Sequence, residues 1–152
     1  MIREQSKLFS LDEQIRKTIL ILEVQWSKKK IEFDIELDEI SIIGDEHLLQ
    51  EVWLNLIQNA IKFSNQNGII KVSLSKNADT VKVKITDEGI GIAEEDKNRI
   101  FERFYKGEKS RSKDGNGLGL VIVKKIVELS NGKVYFESEM GKGATFIVDL
   151  PL

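Results

Sequence analysis

Apolar and polar residues recur along the chain with two different periods, and each period predicts a different element. Over residues 11–29, apolar positions such as Ile15 and Ile19 recur every three or four residues, which is typical of an amphipathic helix. Ser10 and Glu13 form a capping-box pattern at its start. The chain therefore begins its ordered pattern with a helix that has one apolar face.

Strict alternation follows the helix. Over 31–37, apolar residues alternate with acidic ones, which predicts a half-buried strand. The further predicted elements are a short strand at 40–43, a long helix at 45–63, strands at 69–75 and 80–86, a short helical piece at 94–104, an apolar helix at 118–129, and strands at 133–138 and 144–150. This order predicts an α/β fold of the two-layer α+β sandwich type, with one mixed sheet of about five strands covered on one face by three helices.

Composition and charge narrow the possible functions. The chain has 152 residues, which fits one domain, and a net charge of −2, which gives no global signal for nucleic acid. Without cysteine it has no disulfides or thiolate metal sites, and its one histidine, His47, excludes a multi-histidine zinc site. No apolar run reaches the roughly 18 residues that span a bilayer.

Polar residues interrupt the apolar face of the helix at 45–63. On a helical wheel Asn59 falls about 20° from Leu48, inside the apolar arc, and Asn55 and Lys62 follow on its edge at i, i+4, i+7 spacing. A buried amide needs hydrogen-bond partners. Asn59 is therefore either a core residue bonded to backbone or, with Asn55 and Lys62, part of the lining of a pocket for a polar ligand.

A carboxylate continues the apolar face of the strand at 80–86. Asp87 has the same parity as Val83 and Ile85, so its side chain is expected to point to the core. It either caps the backbone of Gly89 in a turn or accepts a hydrogen bond from an amine of a ligand, with Gly89 and Gly91 allowing close approach of the backbone.

A glycine-rich segment follows a polar loop. Residues 106–117 contain no apolar side chain and four basic against two acidic residues, and residues 115–120 (GNGLGL) open an apolar helix. Free N–H groups at such a helix start can bind an anion. The spacing is neither that of a dinucleotide-binding fingerprint nor that of a P-loop.

Together these short sequence motifs, called boxes below, resemble those of the ATP-binding domain of bacterial sensor histidine kinases. That domain belongs to the gyrase, chaperone, histidine kinase and mismatch-repair ATPase superfamily (the Bergerat fold). The boxes stand in the family's order at 55–62 (NLIQNAIK), 87–92 (DEGIGI), 100–105 (IFERFY) and 115–123 (GNGLGLVIV), and the ending at 141–146 (GKGATF) also fits. The resemblance covers roughly residues 8–152.

The resemblance implies a site for ATP and Mg²⁺. Asn59 would ligate the Mg²⁺, with Asn55 nearby and Lys62 on phosphate, and Asp87 would accept from the adenine amine, which favours ATP over GTP. Thr145 would help at the adenine end, and a flexible lid at 105–117 would cover the phosphates, its start held by Phe101 and Phe104. The implied nucleotide-contacting residues are Asn55, Asn59, Lys62, Asp87, Gly89, Gly91, Ile92, Tyr105, Lys106, Gly115, Gly117, Leu118, Gly119 and Thr145.

The resemblance also implies that this chain is half of a kinase. ATP-hydrolysing superfamily members have a glutamate where this chain has Asn55, so we expect phosphoryl transfer and negligible ATPase activity. His47 does not match the acceptor motif, so a separate dimerisation domain would supply the acceptor histidine and a response regulator would act downstream. We expect residues 1–10 to be a residual connecting segment, residues 11–152 to be the catalytic domain, and the domain to be cytoplasmic, without direct membrane or nucleic-acid contact, in a membrane-anchored parent protein.

Two alternatives remain. The first is a free-standing serine kinase of the anti-sigma-factor type, which shares the Asn and Asp boxes and this chain length. The second is a non-catalytic docking module with a degenerate pocket. The Phe-containing box, the long basic loop and the GNGLGL helix favour the histidine kinase, and the intact boxes oppose a degenerate pocket.

Overall fold

The computed structural model describes residues 6–102 and 119–152. The helices are α1 (Leu11–Ile21), α2 (Glu23–Lys28), α3 (Glu46–Phe63) and α4 (Gly119–Leu129). The strands are β1 (Ser6–Ser10), β2 (Glu32–Leu37), β3 (Ser41–Asp45), β4 (Ile69–Asn77), β5 (Thr80–Asp87), β6 (Lys133–Ser138) and β7 (Ala144–Pro151). In this part of the chain no helix is both long and apolar enough to cross a membrane.

Five of the strands form one mixed sheet with the order β2-β4-β5-β7-β6. The β2–β4 pair is parallel, and the other three pairs are antiparallel. Along β5, Val81, Val83 and Ile85 are buried beneath the helices, whereas the alternate residues are more exposed. The predicted sandwich of helices on one face of a five-stranded sheet is confirmed.

The other two strands form a small separate sheet that sequence patterning did not predict. Strand β1 pairs antiparallel with β3, from Ser6 opposite Asp45 to Ser10 opposite Ser41. The Leu11 N–H then donates to the Ile40 carbonyl, 2.8 Å away, where the chain turns into α1. Residues 6–10 of the segment that we expected to be a connection therefore contribute a strand to the fold.

The helix predicted over 11–29 is divided at Leu22. In a continuous helix the Ile19 carbonyl would accept from the Glu23 N–H. Here it accepts from the Leu22 N–H at 3.2 Å and from the Trp26 indole N–H at 2.8 Å. The Trp26 ring meets Phe33 of β2 edge-on, with ring centroids 5.4 Å apart. Trp26 thus joins the end of α1 to the sheet. Because its indole N–H binds the Ile19 carbonyl, α1 ends there and α2 begins as a separate helix.

The short helical piece predicted at 94–104 is confirmed only at its start, and the rest of its described part is irregular. Glu94–Asp96 form one 3₁₀ turn, and irregular turns continue to residue 102. The Arg99 and Glu102 N–H groups each donate to the carbonyl three residues earlier, which is the tighter pattern of a 3₁₀ helix or a turn.

The core lies between the sheet and the helices. Its largest side chain is Trp53 of α3, which is fully buried and donates its indole N–H to the Gln14 side-chain oxygen, 2.8 Å away. The Gln14 amide in turn donates to the Glu46 carbonyl at 2.6 Å. These bonds satisfy the polar groups buried between α1 and α3, so the orientation of the central helix is specified by hydrogen bonds as well as by packing.

Candidate nucleotide-binding site

Two predicted ligand-binding amides lie on α3. Asp45 precedes the helix, and its carboxylate accepts a capping hydrogen bond from the Leu48 N–H at 3.1 Å. The Asn55 amide nitrogen donates to the Glu51 carbonyl at 2.7 Å. The amide nitrogen of Asn59 is buried and has no hydrogen-bond partner among the described residues. Buried polar atoms are nearly always partnered, so Asn59 does not behave as the backbone-bonded core residue of the alternative interpretation.

The first residue of α4 lies against Asn55. A Cβ atom added to Gly119 would be 3.1 Å from the Asn55 side-chain oxygen. This contact between α3 and α4 brings Gly119 to the helix that carries the asparagines. Gly119 and Asn55 are 64 residues apart in sequence (119 − 55), so only the fold places them together.

Lys62 is exposed on the last turn of α3. Its ammonium nitrogen is 5.8 Å from the centre of the Phe63 ring. Lys62 lies in the C-terminal half of α3, as Asn59 does. Its long side chain can reach a charged group of a ligand bound beside the helix.

Asp87 ends β5 and is only 1% exposed. Its Oδ1 accepts from the Gly89 N–H at 2.9 Å, so the turn-capping bond that the sequence suggested is present. A Cβ atom at Gly89 would lie only 1.8 Å from the Phe63 carbonyl oxygen, which is backbone and cannot move aside cheaply. Glycine is therefore required here, and it lets the turn after Asp87 touch the end of α3.

The turn between β6 and β7 contacts Gly91 and Ile92, which lie further along the loop that follows Asp87. Gly91 has a positive φ of +76°, and a Cβ atom there would be 2.4 Å from the Glu139 carbonyl. Ile92 is fully buried, and its N–H donates to the Ser138 hydroxyl at 2.8 Å. That hydroxyl donates to the Gly143 carbonyl at 2.9 Å. Sequence reasoning missed Ser138, for which the only signal was its position just before the turn.

Thr145 lies apart from the carboxylate of Asp87. Its hydroxyl is 3.0 Å from that of Thr86, its partner in the β5–β7 register. Side chains alternate along a strand, so Thr86 and Thr145 share the sheet face opposite to that of the Asp87 side chain. The residue paired with Asp87 is Ala144. The structure therefore does not bring the Thr145 hydroxyl to Asp87.

Several predicted contacts lie outside the described residues. These are Tyr105, Lys106, Gly115, Gly117 and Leu118, together with Phe104 and the lid prediction itself. Phe101 is described: it is partly buried, with its ring centroid 6.1 Å from that of Phe136 and 5.9 Å from the Lys124 ammonium. Within the described ranges no three His, Cys, Asp or Glu residues form a metal-binding cluster.

Comparison with known proteins agrees with this geometry. Residues 44–152 match the family model described as histidine kinase-, DNA gyrase B- and HSP90-like ATPase. The chain belongs to this ATPase family. The resemblance inferred from the four boxes is thereby confirmed.

Among curated proteins, the chain is 41% identical over 138 residues to the heme sensor protein HssS of Staphylococcus saprophyticus, covering 91% of this chain and 30% of HssS. It thus spans about a third of the length of such relatives. The catalytic domain of histidine kinase ThkA superposes with a TM-score of 0.85 at 32% identity, covering 96% of this chain and 97% of that one.

Two further solved structures bear on ligands and partners. Full-length ShkA, solved in complex with AMPPNP, gives a TM-score of 0.86 at 28% identity, covering 99% of this chain and 32% of ShkA. ThkA, solved in complex with the response regulator protein TrrA, gives a TM-score of 0.80 at 32% identity, covering 96% of this chain and 41% of that one.

Proposed function

We propose that this chain binds ATP with Mg²⁺ and donates the γ-phosphoryl group to a histidine on a separate dimerisation and phosphoacceptor domain. The observation that carries the proposal is the contact between the loop after Asp87 and the end of α3. It places a buried carboxylate near a helix whose Asn59 amide lacks a partner among the described residues. The family match and the AMPPNP complex of ShkA support a nucleotide as the ligand.

Asp87 would recognise the adenine. An ionised carboxylate only accepts hydrogen bonds, and adenine presents an exocyclic amine as donor, whereas guanine has a carbonyl at the same place. A buried acceptor facing a carbonyl oxygen would lose its hydrogen bond and meet a repulsive contact. The site should therefore favour ATP and ADP over GTP, with Gly89, Gly91 and Ile92 bordering the base.

The phosphate end would lie along α3 and the start of α4. A carboxamide offers an oxygen, and Mg²⁺ prefers oxygen ligands while keeping several waters, so one protein ligand from Asn59 is sufficient. When bound, Mg²⁺ neutralises charge on the phosphates. Asn55, Lys62 and Gly119 would contact the same region, joined by Tyr105, Lys106, Gly115, Gly117 and Leu118 from outside the described residues.

The acceptor histidine would come from another segment. His47 is exposed in the first turn of α3, and the twelve residues from it to Asn59 span about 18 Å of helix. One nucleotide-bound chain therefore cannot present its own His47 to a phosphate held at Asn59. The ThkA complex with TrrA supports a response regulator as the downstream partner. We place this ATP-dependent step in the cytoplasm.

The Asp87→Asn variant tests the adenine contact. The asparagine oxygen can keep the bond from the Gly89 N–H, so the fold should persist, but its NH₂ group would face the adenine amine donor to donor. We expect binding of Mg-ATP to weaken by roughly tenfold or more, about 1.4 kcal/mol or more. Titration calorimetry with ATP, ADP and GTP measures this, with Asp79→Asn in an exposed turn as the control. Unchanged affinity in Asp87→Asn would refute the adenine assignment.

A phosphotransfer assay tests the reaction. We would incubate the chain with γ-labelled ATP and the dimerisation domain of HssS, the 41% identical relative. Label on that domain that is lost in acid and kept in alkali is expected, because phosphohistidine is acid-labile. Acid-stable label would instead indicate a serine kinase, and tight ATP binding without transfer to this acceptor or to that of ThkA would favour the docking module.

A further inference from the structure

Lys29, at the end of α2, donates hydrogen bonds from its ammonium group to the C-terminal end of α3. Its Nζ donates to the carbonyls of Ile61 at 2.9 Å, Lys62 at 2.7 Å and Ser64 at 3.0 Å. An ammonium has three N–H donors. All three are therefore used at the C-terminal end of α3, which lies more than thirty residues further along the chain.

These bonds complete the termination of α3. The last carbonyls of a helix have no partner within it. The Ala60 carbonyl accepts from the Ser64 N–H at 3.0 Å and the Ser64 hydroxyl at 2.7 Å, and the next two carbonyls accept from Lys29. A positive charge at this end also interacts favourably with the helix dipole. Burial lowers the pKa of the Lys29 ammonium below its ordinary value of 10.5.

The same end of α3 is where the two halves of the candidate site meet. The Phe63 carbonyl packs against Gly89, and the Asn65 amide donates to the Glu88 carbonyl at 3.3 Å. The Lys29 carbonyl accepts from the Asn67 N–H at 2.8 Å, so Lys29 also holds the turn that follows α3. A shift of the last turn of α3 would therefore change the distance between Asn59 and Asp87.

We propose that Lys29 is a positioning residue of the nucleotide site. Its ammonium fixes the last turn of α3 against the loop after Asp87, and so sets the separation between the group that would bind the phosphates and the group that would bind the base. This rests on the proposed function, in which Asn59 and Asp87 contact opposite ends of one ATP molecule. Lys29 itself does not touch the nucleotide.

The test compares Lys29→Met with Lys28→Met. Both remove one positive charge, but Lys28 is exposed and its side chain makes no hydrogen bond within the described part of the chain. We expect Lys29→Met to weaken Mg-ATP binding roughly tenfold and Lys28→Met to leave it unchanged. Binding is measured at a temperature where circular dichroism shows both variants fully folded, so that a loss of stability does not enter the dissociation constant.

Two further readouts separate positioning from capping alone. Lys29→Arg keeps the charge and several donors, and should restore part of the affinity. In nucleotide-free protein, Lys29→Met should move the NMR signals of the Gly89 amide and the Asn59 carboxamide, whereas Lys28→Met should not. If Lys29→Met does not fold, Lys29→Gln and Lys29→Arg are measured in its place against the same control.

Wild-type affinity and unmoved signals in the Lys29 variant would overturn the proposal, even if its stability falls, because Lys29 would then only cap the helix. If the wild-type chain binds no ATP, the proposed function fails. The Gly89 and Asn59 signals then still decide whether Lys29 sets the geometry of this region.

Discussion

At the scale of single residues, two buried carboxylates have different surroundings. Asp87 is at the candidate site and accepts from the Gly89 N–H. Asp12, only 2% exposed, accepts from the Ser10 hydroxyl, the Arg16 guanidinium and the Ile40 N–H at 2.8–3.1 Å. Asp12 thus joins the start of α1 to the chain before β3. Burial by itself would raise the pKa of Asp12, but these hydrogen bonds outweigh it and hold the pKa below the ordinary value of 3.8.

This lowered pKa predicts how stability changes with pH. The folded state holds the Asp12 proton more weakly than the unfolded state, so the contribution of Asp12 is fully present above the unfolded pKa and is lost as pH falls through about 4 and below. Asp12→Asn should lower the free energy of unfolding by roughly 1–2 kcal/mol at pH 7 and by less at pH 3. Urea unfolding at the two pH values measures this, with the exposed Asp38→Asn as the control. An equal loss at both pH values would contradict the assignment.

At the scale of elements, helix ends position the site more than helix interiors do. The corner between α2 and β2 contains Lys29, which caps α3, and Lys30, whose φ is +54°. The left-handed region costs a residue with a Cβ atom roughly 1–2 kcal/mol, and glycine is the usual residue just past a helix end. The chain thus has a strained lysine beside the one that caps α3.

Replacing that strained residue should stabilise the corner. We expect Lys30→Gly to be about 1 kcal/mol more stable than Lys30→Ala, because both remove the charge and only glycine relieves the left-handed strain. The matched pair at Lys28, the last residue of α2, should show the opposite sign, with glycine less stable than alanine by up to about 1 kcal/mol. Thermal or urea unfolding of the four variants measures this. A Lys30→Gly variant less stable than Lys30→Ala would show that the strain is absent.

At the scale of the whole molecule, the chain belongs to an ATPase family, and by the resemblance of its sequence motifs Asn55 stands where the hydrolysing members have glutamate. Asn55 directs its amide nitrogen to the Glu51 carbonyl and its oxygen towards Gly119. An amide cannot take a proton from water as a general base does. Under the proposed function, Asn55 would help to hold a phosphoryl donor for an acceptor that another domain presents.

We therefore expect the isolated chain to turn ATP over far more slowly than about 1 s⁻¹, below the usual range of enzymes. Phosphate release is measured at an ATP concentration that calorimetry shows to be saturating, so that a lack of turnover does not reflect a lack of binding. Adding an acceptor domain should produce phosphorylated acceptor. A turnover in the isolated chain similar to that of a dedicated ATPase would contradict this prediction.

Sequence by itself determined the local periodicities and the ordered boxes. The hydrophobic period indicates which face of an element is buried. The five strands of the sheet and helices α3 and α4 were therefore predictable. The inward direction of the Asp87 side chain was predictable for the same reason. It did not reveal β1, because a two-stranded pairing over 6–10 depends on a distant partner at 41–45. It also did not reveal the break at Leu22, because that break depends on a tryptophan N–H reaching back seven residues to Ile19.

Tertiary structure decided which groups meet. Only the fold shows that Gly119 touches Asn55, that Gly89 packs on the Phe63 carbonyl, and that Lys29 caps α3. It also separates Thr145 from the Asp87 carboxylate, because strand register decides which neighbour shares a sheet face and places Ala144 there instead. Periodicity is a property of neighbouring residues and can be read along the chain, whereas these contacts join residues tens of positions apart and exist only once the core has packed.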